Sequence, residues 1–229
     1  MKRTTALALA LVVAACADNR SSVEIDGRAA PSDTTQCTFA AGGKNVLGPG
    51  LLDVAQSPIW NPRYSLVVYV KNDLVDPATL NSGALTSSKA WTANAARIRM
   101  NPAGYVGQFN PSPKLAGASP EDVLPLDGQT ILPGGSSTQY VDAVGVGSAI
   151  VQELQGIVTD PTPQRIVLGI TLEGRTSDGA TLDTGEWYFP LDVCAGCLAA
   201  PTCAAGEVLK QTNCFGAGQD SAPVCAAAQ

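Results

Sequence analysis

Apolar side chains recur at every second position in several stretches of this sequence, a period that fits a β-strand and not a helix. Shorter runs with this period lie at 64–71 and 96–100. The clearest run contains Ile166, Leu168, Ile170 and Leu172. Because alternation of this kind buries one face of a strand, the sequence predicts a mainly β chain.

The run at 166–172 continues into a predicted hairpin. Asp178-Gly179 is a dipeptide typical of tight turns between antiparallel strands. In the returning strand, apolar side chains change from even-numbered to odd-numbered positions before Trp187, so the buried face must switch and we expect a β-bulge at Gly185. Pro190 has no N–H to donate, which predicts an edge or a break in pairing there.

Little of the remaining chain has helical periodicity. Residues 148–155 do, and Gly156 is placed to end that helix. Six prolines between positions 101 and 135 predict irregular connections with short strands near 105–109 and 130–132. Short strands joined by turns favour an antiparallel immunoglobulin-like β-sandwich over residues 37–193, with a small barrel as the alternative.

The N-terminus has the composition of an export signal. Lys2 and Arg3 precede an apolar run at 6–15, shorter than the roughly 20 residues that a membrane-spanning helix needs. The run ends in the letters VAAC, and this resembles the lipobox of bacterial lipoproteins. The resemblance implies a signal peptide at 1–15 and a diacylglyceryl and palmitate-type anchor on Cys16. The alternative is a secretory signal cut after Ala15 or Ala17.

Residues 16–36 are polar and lack periodicity, which predicts a flexible tether between the lipid and the folded part. A tether of that length reaches about 25 Å. Ala17 resembles the sorting pattern of outer-membrane lipoproteins, although Asp18 weakens it. We therefore expect a protein of the cell envelope, held in a membrane through its lipid, with the outer membrane favoured over the inner.

Seven cysteines make disulfides the expected reinforcement of this exported chain. Lipidation of Cys16 leaves an even number, and all six are expected to be paired. We predict that Cys37 pairs with Cys194, closing the ends of the sandwich, and that the others pair within a Cys-rich tail at 194–229. The six are Cys37, Cys194, Cys197, Cys203, Cys214 and Cys225.

Two other chemistries could use the same cysteines. The pair Cys194 and Cys197 has the spacing of the thioredoxin redox motif, but only 32 residues follow it, too few for that fold. Four cysteines could also bind zinc, although the chain has no histidine. We therefore predict structural disulfides, with no metal and no cofactor.

Charge and composition narrow the function further. Removal of Lys2 and Arg3 with the signal leaves 12 basic and 20 acidic residues, which argues against nucleic acid as a partner. Without histidine the chain lacks the commonest general base. Asp178, Asp183 and Glu186 could meet in a calcium or acid/base site, but turn and surface roles are favoured. The sequence therefore predicts a non-enzymatic protein.

The tryptophans are the candidates for ligand binding. Trp60 precedes a proline in a predicted loop and is the better surface candidate, whereas Trp187 is in phase with core residues. The order of lipobox, tether, sandwich and Cys-rich tail, with the passage GEWYFPLDVCAGCL at 185–198, resembles the disulfide-rich lipoproteins of myxobacteria and their relatives. That resemblance implies no particular activity. We expect a structural or adapter component for an envelope protein partner, with a ligand-binding module, possibly for a glycan, and an unrecognised enzyme as alternatives.

Overall fold

The part of the chain that the structure describes is mainly β with one short helix, as the sequence predicts. The computed structural model describes residues 22–32, 37–40, 43, 45–56, 64–74, 89–103, 105, 107, 109–133, 139–210, 214–215 and 218–228. The elements are β1 (Val23–Ala29), β2 (Asn45–Val46), β3 (Gly50–Asp53), β4 (Tyr64–Asn72), β5 (Trp91–Met100), β6 (Glu121–Ile131), β7 (Gln139–Val146), α1 (Ser148–Ile157), β8 (Gln164–Thr176), β9 (Thr181–Asp183), β10 (Trp187–Cys194), β11 (Glu207–Lys210) and β12 (Val224–Ala227).

Two sheets enclose one hydrophobic core. One sheet has the strand order β2-β1-β4-β7, and the other has the order β3-β10-β8-β5-β6, with β9 also paired to β8. A small separate sheet contains β11 and β12. Strand β3 runs parallel to β10, whereas the other pairs are antiparallel, so a purely antiparallel sandwich is wrong at this edge. Side chains from both large sheets meet in the core.

The predicted strand run on β8 is confirmed. Ile166, Leu168, Ile170 and Leu172 are fully buried. The inward face of β4 is buried in the same core through Leu66, Val68 and Val70. Burial of apolar area is the main favourable term in folding, so these alternating positions hold the two sheets together.

Strand β4 is buried on both faces, so the single buried face predicted from its alternation is wrong here. Val67 and Tyr69 lie on the face away from the main core and form a second cluster with Ala29. Phe39 and Phe215 pack onto that cluster with ring centroids 6.0 Å apart. The C-terminal tail therefore covers the outer face of the four-stranded sheet.

The predicted hairpin and bulge are also present. Between the pair Glu173–Asp183 and the pair Ile170–Trp187 the register moves by one residue. At this point the Leu172 amide donates to the Thr184 hydroxyl at 2.9 Å. Pro190 pairs with β8 on one side, and on the other side the pairing with β3 begins only at the next residue, as its missing N–H predicts.

The flexible tether predicted at 16–36 is wrong over Val23–Ala29, which form β1. Val23 and Ile25 lie in the main core, while Glu24 and Asp26 lie beside Lys71 of β4 at 3.8 and 3.0 Å. The alternation Val23-Glu24-Ile25-Asp26 has the period of a strand, but it is only four residues long and a bulge after Ile25 ends it. Cys16 and the rest of the signal lie outside the described residues.

Two further boundaries differ from the predictions. Strand β6 runs through Pro125 for 11 residues, where short irregular segments were expected. Proline is tolerated there because β6 is an edge strand and its register with β5 shifts beside that residue.

Helix α1 passes through Gly156 to Ile157, because an exposed glycine weakens a helix by only about 1 kcal/mol. The helix buries Ile150, Val151 and Leu154 against the core. Among the described residues, no helix is long and apolar enough to cross a membrane.

Candidate ligand-binding cleft

All six cysteines are paired, but the predicted partner of Cys37 is wrong. The disulfides are Cys37–Cys214, Cys194–Cys197 and Cys203–Cys225. Cys37 lies near the outer face of the four-stranded sheet, where Phe39 and Phe215 meet, so the tail cysteine is its partner. Cys194 ends the buried strand β10 and closes a short loop with Cys197 instead.

A buried carboxylate fixes that short loop. Asp53 is fully buried, and it accepts hydrogen bonds from the amides of Gly196 and Leu198 at 2.7 Å and from Ala55 at 3.0 Å. The Asp53 oxygen and the two sulfurs lie within 4.8 Å of one another. Sulfurs joined in a disulfide are not the thiolates that zinc binds. The hydrogen bonds to Asp53 and the disulfide instead fix the conformation of the loop.

A second buried network fastens the tail to the sandwich. Asp220 accepts hydrogen bonds from Arg28, from the Tyr64 hydroxyl at 2.9 Å and from the Leu51 amide at 3.0 Å. The Asp220 amide also donates to the Leu51 carbonyl at 2.8 Å. The Tyr64 hydroxyl can approach because residue 50 is glycine, where a Cβ would lie 2.1 Å from that oxygen.

Aromatic rings lead from this network to the surface. The Arg28 guanidinium lies 5.9 Å from the Tyr64 ring centroid and 5.7 Å from that of Phe189. Phe189 stacks on Tyr64 at 6.2 Å and on Trp187 at 5.5 Å. Burial raises the pKa of Tyr64 well above its usual 10.0, against the opposing effect of the Arg28 charge. The phenol therefore stays protonated and keeps donating to Asp220.

A cleft of about 200 Å³ opens beside these rings, between β10 and the β1–β2 side of the other sheet. In the described part of the chain, the first half of β10 pairs only with β8, which leaves the other edge of that half facing the cleft. The lining residues are Asp26, Gly27, Arg28, Asn45, Val46, Leu47, Gly48, Phe109, Trp187, Tyr188, Phe189 and Pro190. Its wall is therefore rich in aromatic rings.

The rim of the cleft is accessible. Leu47 is 98% exposed and Tyr188 is 36% exposed. Tyr188 is held in place, because its hydroxyl donates to Glu186 at 2.8 Å and its ring centroid lies 4.6 Å from that of Tyr105. The cleft thus combines a fixed aromatic wall with an exposed apolar rim.

The charges on the cleft wall have partners within the protein. Arg28 pairs with Asp220, and Asp26 lies 3.0 Å from the Lys71 amine. Lys71 also lies 3.8 Å from Glu24, and these carboxylates raise the pKa of Lys71. Among the described residues of the wall, both charged side chains, Asp26 and Arg28, therefore have a partner of opposite charge.

The acidic residues considered from sequence have surface and turn roles. Asp178 accepts a hydrogen bond from the Thr176 hydroxyl within the hairpin turn, and that bond lowers its pKa. Glu186 accepts from the Arg99 guanidinium nitrogen Nε at 3.0 Å. Asp183 lies opposite Glu173 in the antiparallel register of β8 and β9. The interpretation as turn and strand positions agrees with this arrangement.

The sequence predictions missed most of the cleft. Trp60, the ligand candidate, lies outside the described residues. Trp187 was assigned to the core and does pack against it, but it also lines the cleft. The three consecutive aromatic residues at 187–189 were the available signal. Successive side chains of a strand point to opposite faces, so the three rings could not all be buried in one core.

The small sheet of the tail also exposes apolar side chains. Val208, Leu209 and Val224 are 51%, 53% and 45% exposed. A cavity of about 290 Å³ lies against the hairpin. Two strands alone are marginally stable in water, and the Cys203–Cys225 disulfide stabilises this hairpin.

Comparison with known proteins found no family model, no curated protein and no solved structure that matches this chain.

Proposed function

We propose that this chain is a non-enzymatic lipoprotein of the cell envelope whose rigid β domain binds a ligand in the cleft beside β10. The observation that supports this proposal is the concave wall of Phe109, Trp187 and Tyr188 with the exposed Leu47 at its rim. Binding sites in proteins are typically concave and aromatic, with a few polar groups that orient the ligand.

The way the domain is built fits a binding role. The tail and both sheets are held in fixed positions by three disulfides and by the hydrogen bonds of Asp53 and Asp220. A fixed wall loses little conformational entropy when a ligand binds. We also propose an immunoglobulin-like relationship between the sheets, which the shared core supports.

Anchoring through Cys16 is part of the same proposal. The lipid would hold the domain at a membrane surface, with the outer membrane favoured. A Cys16→Ser variant should move to the soluble fraction and lose incorporation of labelled palmitate. A variant that remains labelled and membrane-bound would contradict the lipobox interpretation.

A structural or adapter role is the second candidate, and the exposed hairpin favours it. Its apolar side chains are half-exposed, and its outer edges pair with no other strand in the described part of the chain, which suits a protein partner that adds a strand. The two candidates use different surfaces, so variants can separate them.

The test is crosslinking of the full lipidated protein in its native envelope, followed by identification of the proteins and glycans recovered. Leu47→Ser alters the cleft rim and Leu209→Ser alters the hairpin, whereas Val123→Ser, at a position on β6 that is 54% exposed, is the matched control. The cleft proposal predicts that only Leu47→Ser loses the bound molecule.

Loss of a protein partner only in Leu209→Ser would support the adapter role instead. Equal recovery from wild type and all three variants would show that neither surface is used. The three positions are exposed, so each substitution should change stability by no more than about 0.5 kcal/mol.

A further inference from the structure

We infer that the cleft takes one ring of an uncharged saccharide. This inference depends on the proposed binding function and names its ligand class. It follows from three properties of the wall: its charge, its aromatic surface and the hydrogen-bonding groups at its rim.

Charge compensation among the described residues argues against a strongly anionic ligand. The Arg28 guanidinium is committed to Asp220, and its side chain is 9% exposed. Lys71 is shared between Asp26 and Glu24. A carboxylate or phosphate would enter a site where each described cation already has a carboxylate partner, so it would lose hydration without gaining a counter-charge.

The aromatic wall matches the apolar face of a sugar ring. Tyr188 is braced by Tyr105 on one side and by its bond to Glu186, so its ring has a fixed orientation at the cleft. Trp187 is stacked on Phe189 with an angle of 22° between the rings. Flat rings in fixed positions favour a ligand with a flat apolar face, and they do so without an ordering cost.

Hydrogen-bonding groups complete the site. Asn45 can both donate and accept, and Asp26 accepts only, which suits hydroxyl groups. The Asn45 side chain lies over Gly27, where a Cβ would be 3.0 Å from it. A purely apolar ligand would cover these groups without satisfying them, which costs binding energy. A volume of about 200 Å³ limits the occupant to about one ring, with neighbouring rings outside the cleft.

The test is saturation-transfer NMR and titration of the full chain with four probes. These are cellotriose, triacetylchitotriose, the acidic trigalacturonate and the neutral dye Nile red. We expect a neutral trisaccharide to bind through ring protons on one face and trigalacturonate to bind at least about tenfold more weakly, since tenfold corresponds to about 1.4 kcal/mol.

Variants at the wall locate the binding. Tyr188→Ala and Leu47→Ser should each weaken it about three- to tenfold, the range expected for one aromatic or apolar contact. Tyr188→Phe keeps the ring and should stay within about threefold of wild type. Val123→Ser, at an exposed position of β6 outside the lining of the cleft, is the control, and a thermal melt of each variant shows that it is folded.

Different failures have different meanings. If Nile red binds with the same dependence on Leu47 while neither neutral sugar binds, the saccharide inference is wrong and the binding function stands. Equal affinity for trigalacturonate would overturn the charge argument and the uncharged class. If no probe binds and Leu47→Ser also leaves envelope crosslinking unchanged, both the inference and the cleft function fail.

Discussion

Substitution of Asp220 by asparagine tests the network that joins the tail to the sandwich. Asparagine keeps an oxygen that can accept from Tyr64 and Leu51, and it tolerates the left-handed backbone of this position, where φ is 56°. What it removes is the charge that compensates Arg28. Hydrogen bonds between charged groups contribute about 1.5–3 kcal/mol.

We expect Asp220→Asn to lower the free energy of unfolding by about 2 kcal/mol. This value is smaller than the roughly 3–5 kcal/mol for breaking a fully buried ion pair, because the Asp220 side chain is 22% exposed, while that of Arg28 is only 9% exposed. Urea unfolding at neutral pH, followed by tryptophan fluorescence with the disulfides intact, measures this change. Asp127→Asn, at an exposed position on β6, is the control and should cost no more than about 0.5 kcal/mol.

A double variant separates the ion pair from other effects. Arg28→Met removes the cation, so Asp220→Asn should cost at least about 1 kcal/mol less in that background than in wild type. The reasoning is refuted if Asp220→Asn is as stable as Asp127→Asn, or if the two substitutions at 28 and 220 are additive.

Three further predictions follow from the same contacts. Burial raises the pKa of Tyr64, so this tyrosine should ionise at higher pH than an ordinary tyrosine near 10.0. Its stabilising effect is complete below pH 10 and is lost as pH rises through the higher pKa of the folded state. Phenolate absorbance should show one fewer late-titrating group in Tyr64→Phe, and unchanged titration would contradict this. Thr184→Val leaves the buried Leu172 amide without its acceptor and should cost about 1–3 kcal/mol in urea unfolding, whereas Thr184→Ser should recover most of that loss. Peptide mapping without reduction should find Cys37 linked to Cys214, and a link between Cys37 and Cys194 would refute the observed pairing.

Local features were predictable from the sequence because they depend on neighbouring residues. The alternation on β8, the Asp178-Gly179 turn, the switch of face near Gly185 and the edge position of Pro190 all follow from the two-residue period and from backbone chemistry. The short helix was also predicted, although its end was misplaced because an exposed glycine only weakens a helix.

Contacts between residues far apart in the sequence were decided by the tertiary structure alone. Arg28 and Asp220 are separated by 192 positions, and Cys37 and Cys214 by 177. No local sequence pattern predicts that the tail returns to cover Val67 and Tyr69. The cysteine pairing therefore could not be obtained from the spacing of the cysteines.

The role of β1 and the cleft depended on the same long-range packing. Val23 and Ile25 become core residues only because β4 offers them a buried face. The wall of aromatic rings faces an opening only because β3 begins its pairing after Pro190. The sequence by itself determined β8, the turn that follows it and the short helix, because these depend on residue type and period. The arrangement of the sheets determined the candidate site, because a concave surface exists only where distant segments meet.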